Sequence, residues 1–216
     1  PSLWCVVRAR FEARGRVAMA SPRRLGVLGG TFDPIHNGHV LAAAAAADAF
    51  SLDRVLLVPC GEPPHKDPYG ITPAEHRYAM CVLAAESDPR LAASRIEVDR
   101  PGPSYAYDTV VGLLQQYGLP DLYYITGTDS FSLIGTWHRY AELLRLCSFV
   151  VVRRPGAAPG GGPAAAVEGS RVHYLDIPGV EVSASDVRTR IRRGESVQSL
   201  VPAGVERYIR DQGLYR

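Results

Sequence analysis

A doubly wound α/β fold with a mainly parallel sheet is predicted for this 216-residue chain from three features of its sequence. Short strand-like apolar runs alternate with helical patterns, a Gly-Gly junction lies directly between the first strand and the first helix, and the composition is that of an ordinary globular domain. Strands are expected at Leu25–Leu28, Val55–Val58, Arg95–Val98, Leu122–Thr126, Phe149–Val152 and Val172–Leu175. His39–Phe50 is dominated by alanine, the strongest helix former, and fills the first crossover. Thr72, Pro73 and Glu75 read as the N-cap, first-turn proline and capping-box glutamate of a helix reaching about Glu86. Tyr107, Val110, Val111 and Leu114 recur at i, i+3, i+4 and i+7, the spacing of an amphipathic helix. Two last helices are expected around Ser185–Arg193 and from near Val201, where Pro202 supplies a start signal.

Composition narrows the class. With 46% hydrophobic and 21% charged residues, disorder, collagen and coiled coil are excluded. The length suits one domain over residues 19–216, enough to bury about 70% of its unfolded surface. The four cysteines Cys5, Cys60, Cys81 and Cys147 are far apart and form no CxxC pair, so a reducing, cytoplasmic setting is expected rather than a zinc ribbon or a disulfide scaffold. The longest apolar run, Val40–Ala47, is far below the roughly 20 residues of a membrane span. Residues 1–24 hold six arginines and one glutamate while the remainder is slightly acidic, so neither a nucleic-acid nor a membrane partner is expected. Residues 1–18 are read as an extension ahead of a start at Met19. The Gly/Pro-rich stretch 154–169 is read as a flexible surface loop.

The chemistry concentrates in Gly29–His39, GGTFDPIHNGH, between the first strand and the first helix. Doubly wound folds bind nucleotides at such junctions. The segment has neither the GxGxxG spacing nor the GK[ST] ending of the other phosphate loops, so its means of holding phosphate must differ. Gly29 and Gly30 allow close backbone approach, the following helix offers free N–H groups to an anion, and His36 and His39 add donors on the same side. Two histidines three apart could also ligate zinc, but only Asp33 is near as a further ligand, and a polyphosphate site is the reading adopted.

His36-Asn37-Gly38-His39 resembles the HxGH signature of a nucleotidyltransferase superfamily, and the whole string is similar to that of the bacterial nicotinate mononucleotide adenylyltransferases. Four further segments carry the resemblance from about Leu25 to the C-terminus. Pro63-Pro64-His65-Lys66 looks like the family's PPHK loop. Pro103–Thr109 looks like PSYTxDT with Ala106 in place of threonine, and Gly127-Thr128-Asp129-Ser130 like GADS with Thr128 for alanine. Val182–Arg188 looks like ISSTxIR with Ala184 and Ser185 for Ser-Thr.

The resemblance implies a Rossmann-like nucleotidyltransferase fold with C-terminal helices and adenylyl transfer from ATP to nicotinate mononucleotide. It implies catalytic roles for His36, His39, Lys66 and Arg188. ATP is expected against Gly29, Gly30, Thr31, Phe32, His36, His39, Gly127, Asp129, Ser183, Ser185 and Arg188. The mononucleotide is expected against Lys66, Ser104, Tyr105, Ala106, Thr109, Trp137 and His138, with the Trp137 ring stacked on the pyridine. Read from the residues alone, Asp129 is as well suited to a helix N-cap as to a ribose contact, and Trp137 to core. Mg²⁺ is expected to arrive with ATP, with no dedicated protein metal cage, and homo-oligomer formation stays open. The alternatives are transfer to phosphopantetheine or nicotinamide mononucleotide, or a catalytically silent nucleotide-binding module on the same fold.

Overall fold

In a computed structural model, residues 22–64, 70–118, 121–153, 167–178 and 182–216 are described. The expectations for residues 1–18, for Lys66 and for most of the 154–169 loop therefore lie outside the described residues. One six-stranded sheet organises the rest: β1 (Arg24–Gly30), β2 (Arg54–Pro59), β3 (Leu91–Ala93), β4 (Asp121–Gly127), β5 (Ser148–Arg153) and β6 (Arg171–Asp176). Its order is β3-β2-β1-β4-β5-β6, and every pairing is parallel. The helices are α1 (Asn37–Ala49), α2 (Ala74–Ala84), α3 (Ala106–Tyr117), α4 (Thr128–Ser132), α5 (Tyr140–Leu146), α6 (Ala184–Arg192) and α7 (Ala203–Gln212). None among the described residues is long and apolar enough to cross a membrane.

Strand periodicity sends alternate side chains to opposite faces, so each face has its own core. Leu28, Val55, Leu57, Ile125 and Val150 meet Ala43, Ala46 and Ala47 of α1, Met80 of α2, Val187 of α6, and Val205 and Tyr208 of α7. The alanine run matters here: its short side chains let α1 lie close against the strands it covers. On the other face Val27, Leu56, Val58, Tyr124, Phe149 and Val151 meet Val110 and Leu113 of α3, Phe131 of α4 and Leu143 of α5.

Two local expectations are corrected. Arg95–Val98 is not a strand; β3 is the shorter Leu91–Ala93, and the Asp99 N–H returns to the Arg95 carbonyl at 2.9 Å while Arg95 pairs with Glu75 and Asp99. Those ion pairs and the i,i+4 backbone bond favour a turn over further pairing with β2. Thr72 is not the cap of α2. Pro73 stands at the N-cap, and both main-chain groups of Thr72 are engaged elsewhere: its N–H donates to Asp33 Oδ2 at 3.4 Å and its carbonyl accepts from Arg77 Nε at 2.7 Å. The last helix starts at Ala203, directly after Pro202, as expected. The short helices α4 and α5 had no periodicity long enough to be read from sequence.

Candidate active site

Strand order reverses at β1, whose neighbours β2 and β4 lead the chain in opposite directions across the sheet. The crevice beyond the carboxyl ends of the strands at such a switch point is where open α/β sheets hold ligands. Here it is bordered by Gly29 and Gly30 ending β1 and Gly127 ending β4.

The chain leaves β1, turns through Phe32 at φ 51°, and starts α1 with His36 at the N-cap position. The Phe32 ring meets the His39 ring edge-on, with centroids 5.0 Å apart, and the His36 and His39 rings stack at 3.7 Å. The His36 N–H donates to His39 Nδ1 at 3.3 Å. That acceptor role leaves the His39 proton on Nε2. Burial, reinforced by the neighbouring His36, holds the His39 pKa well below the ordinary histidine range. At neutral pH His39 is therefore a neutral donor at the start of a 13-residue helix that carries no acidic residue in its first turn. The dipole of such a helix end adds positive potential that suits an anion. Of its first N–H groups, Asn37's already donates to the Leu200 carbonyl at 2.8 Å and His39's to the His36 carbonyl at 2.9 Å, so the histidine rings carry much of the donor capacity there.

A second helix start borders this one. At Gly38 a Cβ would stand 3.2 Å from Val182 Cγ1, so the Val182–Arg188 segment packs directly on the HxGH turn. Ser183 caps α6: its Oγ accepts from the Asp186 N–H at 3.1 Å and donates to Asp186 Oδ2 at 2.7 Å. Ser185 makes no cap and sits exposed in the first turn. Arg188 reaches across, its Nη1 donating to the Asp33 carbonyl at 2.6 Å.

The end of β2 leads to the other half of the crevice. Cys60 N–H donates to the Gly30 carbonyl at 2.9 Å, and Glu62 bridges to Pro103. Gly61 must be glycine, since a Cβ there would lie 2.2 Å from the Glu97 carbonyl oxygen. Ser104 Oγ accepts from the N–H groups of Gly61 and Glu62 at 2.9 and 3.3 Å, and the buried Thr109 hydroxyl donates to Glu97 Oε1 at 2.6 Å. Both hydroxyls, expected from sequence to face the mononucleotide, thus tie the loops together. Burial pushes the Glu97 carboxyl above its usual range.

Helix α3 begins at Ala106 without a side-chain cap. Around its start lie Tyr105 against His138 with ring centroids at 4.5 Å, Tyr107 edge-on to His138 at 6.3 Å, and Arg139 over the Tyr107 ring at 3.9 Å. Trp137 is half-buried, edge-on to Tyr124 at 5.9 Å. The core and pocket readings of this tryptophan are compatible. At the end of β4, Gly127 is the N-cap of α4 and faces open space. Asp129 is exposed in the first turn and is not the cap, while the Thr128 hydroxyl that departs from the family pattern donates to the Val152 carbonyl at 3.2 Å.

Sequence reasoning weighed Asp33 only as a zinc ligand, and it missed Arg77 and Tyr215, which join it at this crevice. Asp33 and Arg77 are 6% and 1% exposed. In sequence Arg77 reads as a surface charge on a helix, and only the fold brings it to its partners.

Comparison with known proteins agrees with this architecture. Residues 27–190 match the cytidylyltransferase-like family. A probable nicotinate-nucleotide adenylyltransferase of Moorella thermoacetica is 45% identical over 202 residues, covering 90% of this chain and 93% of that protein. One from Acidothermus cellulolyticus is 46% identical over 201 residues, covering 89% and 94%. Among solved structures, Plasmodium falciparum nicotinic acid mononucleotide adenylyltransferase complexed with NaAD superposes with a TM-score of 0.74 at 16% identity, covering 89% of this chain and 97% of that one, a likeness of fold. With the family match spanning most of the chain and relatives this similar over nearly their whole length, the chain belongs to the cytidylyltransferase-like family, in its nicotinate-nucleotide adenylyltransferase branch.

Proposed function

We propose that the protein transfers the adenylyl group of ATP to nicotinate mononucleotide, releasing pyrophosphate and forming nicotinate adenine dinucleotide. The observation that carries this reading is a pair of anion-suited helix starts at one crevice. One is α1 with its stacked His36–His39 pair; the other is α3, uncapped by a side chain, with Tyr105 against His138 at its start. The first suits a polyphosphate, and the second suits a flat ring bearing a carboxylate.

A 5′-phosphate oxygen of the mononucleotide attacks the α-phosphorus of ATP in line. The new P–O bond forms as the bond to the bridging oxygen breaks, and pyrophosphate leaves with that electron pair. Such chemistry asks the protein mainly for positioning and for donors where charge develops. His36 and His39 donate to the α- and β-phosphates, Gly29, Gly30, Thr31 and Phe32 line the ATP, and Gly127 and Asp129 face its nucleoside. Arg188 serves the triphosphate from α6, aided by the N–H groups of Ala184 and Ser185 that follow Ser183, and Lys66 serves the attacking phosphate. Ser104, Tyr105, Ala106, Thr109, Trp137 and His138 form the mononucleotide side, with Ser104 and Thr109 acting through the loop geometry they hold. Mg²⁺ carried in with ATP would supply neutralisation of the phosphate charge. Free thiols at Cys60, Cys81 and Cys147 suit a cytoplasmic setting.

The test is incubation with ATP·Mg²⁺ and, in parallel, nicotinate mononucleotide, nicotinamide mononucleotide and phosphopantetheine, following pyrophosphate release and product mass. Fastest turnover with the nicotinate form is expected. Turnover with phosphopantetheine alone, or with none of the three, would overturn the reading in favour of the pantetheine enzyme or a silent module.

A further inference from the structure

Asp33 lies at the centre of a polar knot that joins four separate parts of the chain. Its Oδ1 accepts from the Tyr215 hydroxyl at 2.7 Å, its Oδ2 from the Thr72 N–H at 3.4 Å, and its carbonyl from Arg188 at 2.6 Å. Thr72 passes the connection on, its carbonyl accepting from Arg77 Nε at 2.7 Å. The same guanidinium donates through Nη1 to the Thr31 carbonyl at 2.8 Å and through Nη2 to the Gly61 carbonyl at 3.0 Å. The circuit closes on the loop it started from, since Thr31 and Asp33 both belong to the segment between β1 and His36.

Stability alone is a poor reason for this arrangement. A cation at 1% exposure spends its donors on three main-chain carbonyls from three segments, and desolvating a charge costs more than filling the same space with an apolar side chain. What a planar guanidinium offers that a lysine or an apolar residue lacks is a fixed fork that sets three carbonyls relative to one another. Backbone geometry makes the same point independently. Phe32 and Tyr215, one beside Asp33 and the other bonded to it, are non-glycine residues at φ 51° and 67°, a region such residues occupy only when their surroundings hold them there. Phe32 in turn sets the edge of His39.

We propose that Arg77 and Tyr215 are positioning residues for the reaction: acting through Asp33, Thr72 and Thr31, they hold the loop that aims His36 and His39, and the C-terminal segment thereby forms part of the nucleotide site. The proposal rests on the adenylyl-transfer reading, because it assigns the loop a catalytic geometry to be held.

The test uses the full chain with Tyr215→Phe, which removes one hydroxyl, and Arg77→Lys, which keeps the charge and loses the fork. Steady-state kinetics are combined with melting temperatures and with hydrogen exchange at the Thr31–Asn37 amides. In Tyr215→Phe, kcat is expected to fall on the order of 10-fold, since small misplacements at a reacting centre carry large rate penalties, while KM for ATP stays within about threefold. Melting should move by only a few degrees, and exchange at Thr31–Asn37 should quicken. Arg77→Lys should repeat the pattern more strongly. Should that variant fail to fold, Tyr215→Phe decides alone. An unchanged kcat in folded Tyr215→Phe, or a raised KM at unchanged kcat, would overturn the proposal. If the wild-type chain made no dinucleotide, the functional reading would fall by itself. Exchange at Thr31–Asn37 in Tyr215→Phe would then still judge the brace, quickened exchange supporting it and unchanged exchange overturning it.

Discussion

The hydroxyl of Tyr124 stands where a side chain on Gly29 would begin: a Cβ at Gly29 would lie 2.5 Å from Tyr124 Oη. Tyr124 is 6% exposed and wedged among Phe149, Trp137 and the rest of its face of the core, so it cannot swing aside. The end of β1 therefore lies against the Tyr124 side chain as closely as a glycine permits.

Gly29→Ala is accordingly expected to destabilise by about 1–3 kcal/mol through overpacking, and to lower kcat by displacing the loop toward the crevice. Removing the obstructing oxygen with Tyr124→Phe should recover part of both losses in the double variant. Urea unfolding and steady-state kinetics on the four proteins of this cycle check it. Strictly additive effects would show that the contact is not what constrains Gly29.

The histidine pair makes a separate prediction. His36→Ala or His39→Ala should each lower kcat on the order of 10²-fold in a folded protein, the loss typical of deleting one donor to developing charge. His39 should also stay neutral, with its proton on Nε2, through the range where exposed histidines titrate, because burial and His36 lower its pKa. A folded-state pKa below the unfolded one makes protonation oppose folding: the stabilising contribution is present above about pH 6.5 and is lost as pH falls through the folded value. Nitrogen-15 chemical shifts of the His39 ring between pH 8 and 6 would test this, and a titration centred near 6.5 would contradict it.

Much of this site was legible in the sequence because its signal is local. GGTFDPIHNGH carries its own glycines, donors and helix start, and the apolar runs around it define five of the six strands within a residue or two. What stayed illegible depends on contacts between distant segments. Arg77 bonds three carbonyls of which only one lies within five residues, and Tyr215 meets a carboxylate 182 positions away. Main-chain acceptors leave no mark on composition, so a buried arginine in AEHRYAM looks like any solvated helix charge. Glu97 was hidden differently: between Ile96 and Val98 it reads as the polar position of a strand, whereas it is 4% exposed behind Gly61 and Thr109.

That buried acid yields a pH prediction. Burial raises the Glu97 pKa in the folded state, so folding favours its protonated form. The folded chain then binds more protons than the unfolded one as pH rises from the ordinary glutamate value, about 4.3, toward the folded value, and stability falls across that window. Glu97→Gln keeps an oxygen to accept from Thr109 and removes the ionisation. It should therefore raise the melting temperature at neutral pH, with the gain shrinking as pH falls toward 4. A variant less stable than wild type at pH 7.5, or a gain that does not change with pH, would mean that the ionised carboxylate is itself stabilised.

Substrate choice rests on the difference between a carboxylate and an amide on one pyridine ring. In the proposed site, stacking on Trp137 would not separate them, since both rings present the same face, so discrimination would come from groups at the ring's edge. Helix α3 supplies candidates: its first N–H groups at Ala106 and Tyr107 are not capped by a side chain, and the exposed His138 adds a further main-chain donor beside Tyr105. Donors grouped this way favour an anion, because an amide in one orientation turns its own N–H groups toward them. Ala106 lacks the threonine hydroxyl of the family pattern, which removes a side-chain contact and leaves the backbone donors in place. Higher kcat/KM for nicotinate mononucleotide than for nicotinamide mononucleotide is therefore expected at saturating ATP. Trp137→Ala should weaken both substrates by similar factors, after correction for any folded fraction lost with its packing on Tyr124. Equal or reversed preference in the wild-type enzyme would assign the ring's edge to other groups, and a Trp137→Ala effect confined to one substrate would show that the indole does more than stack.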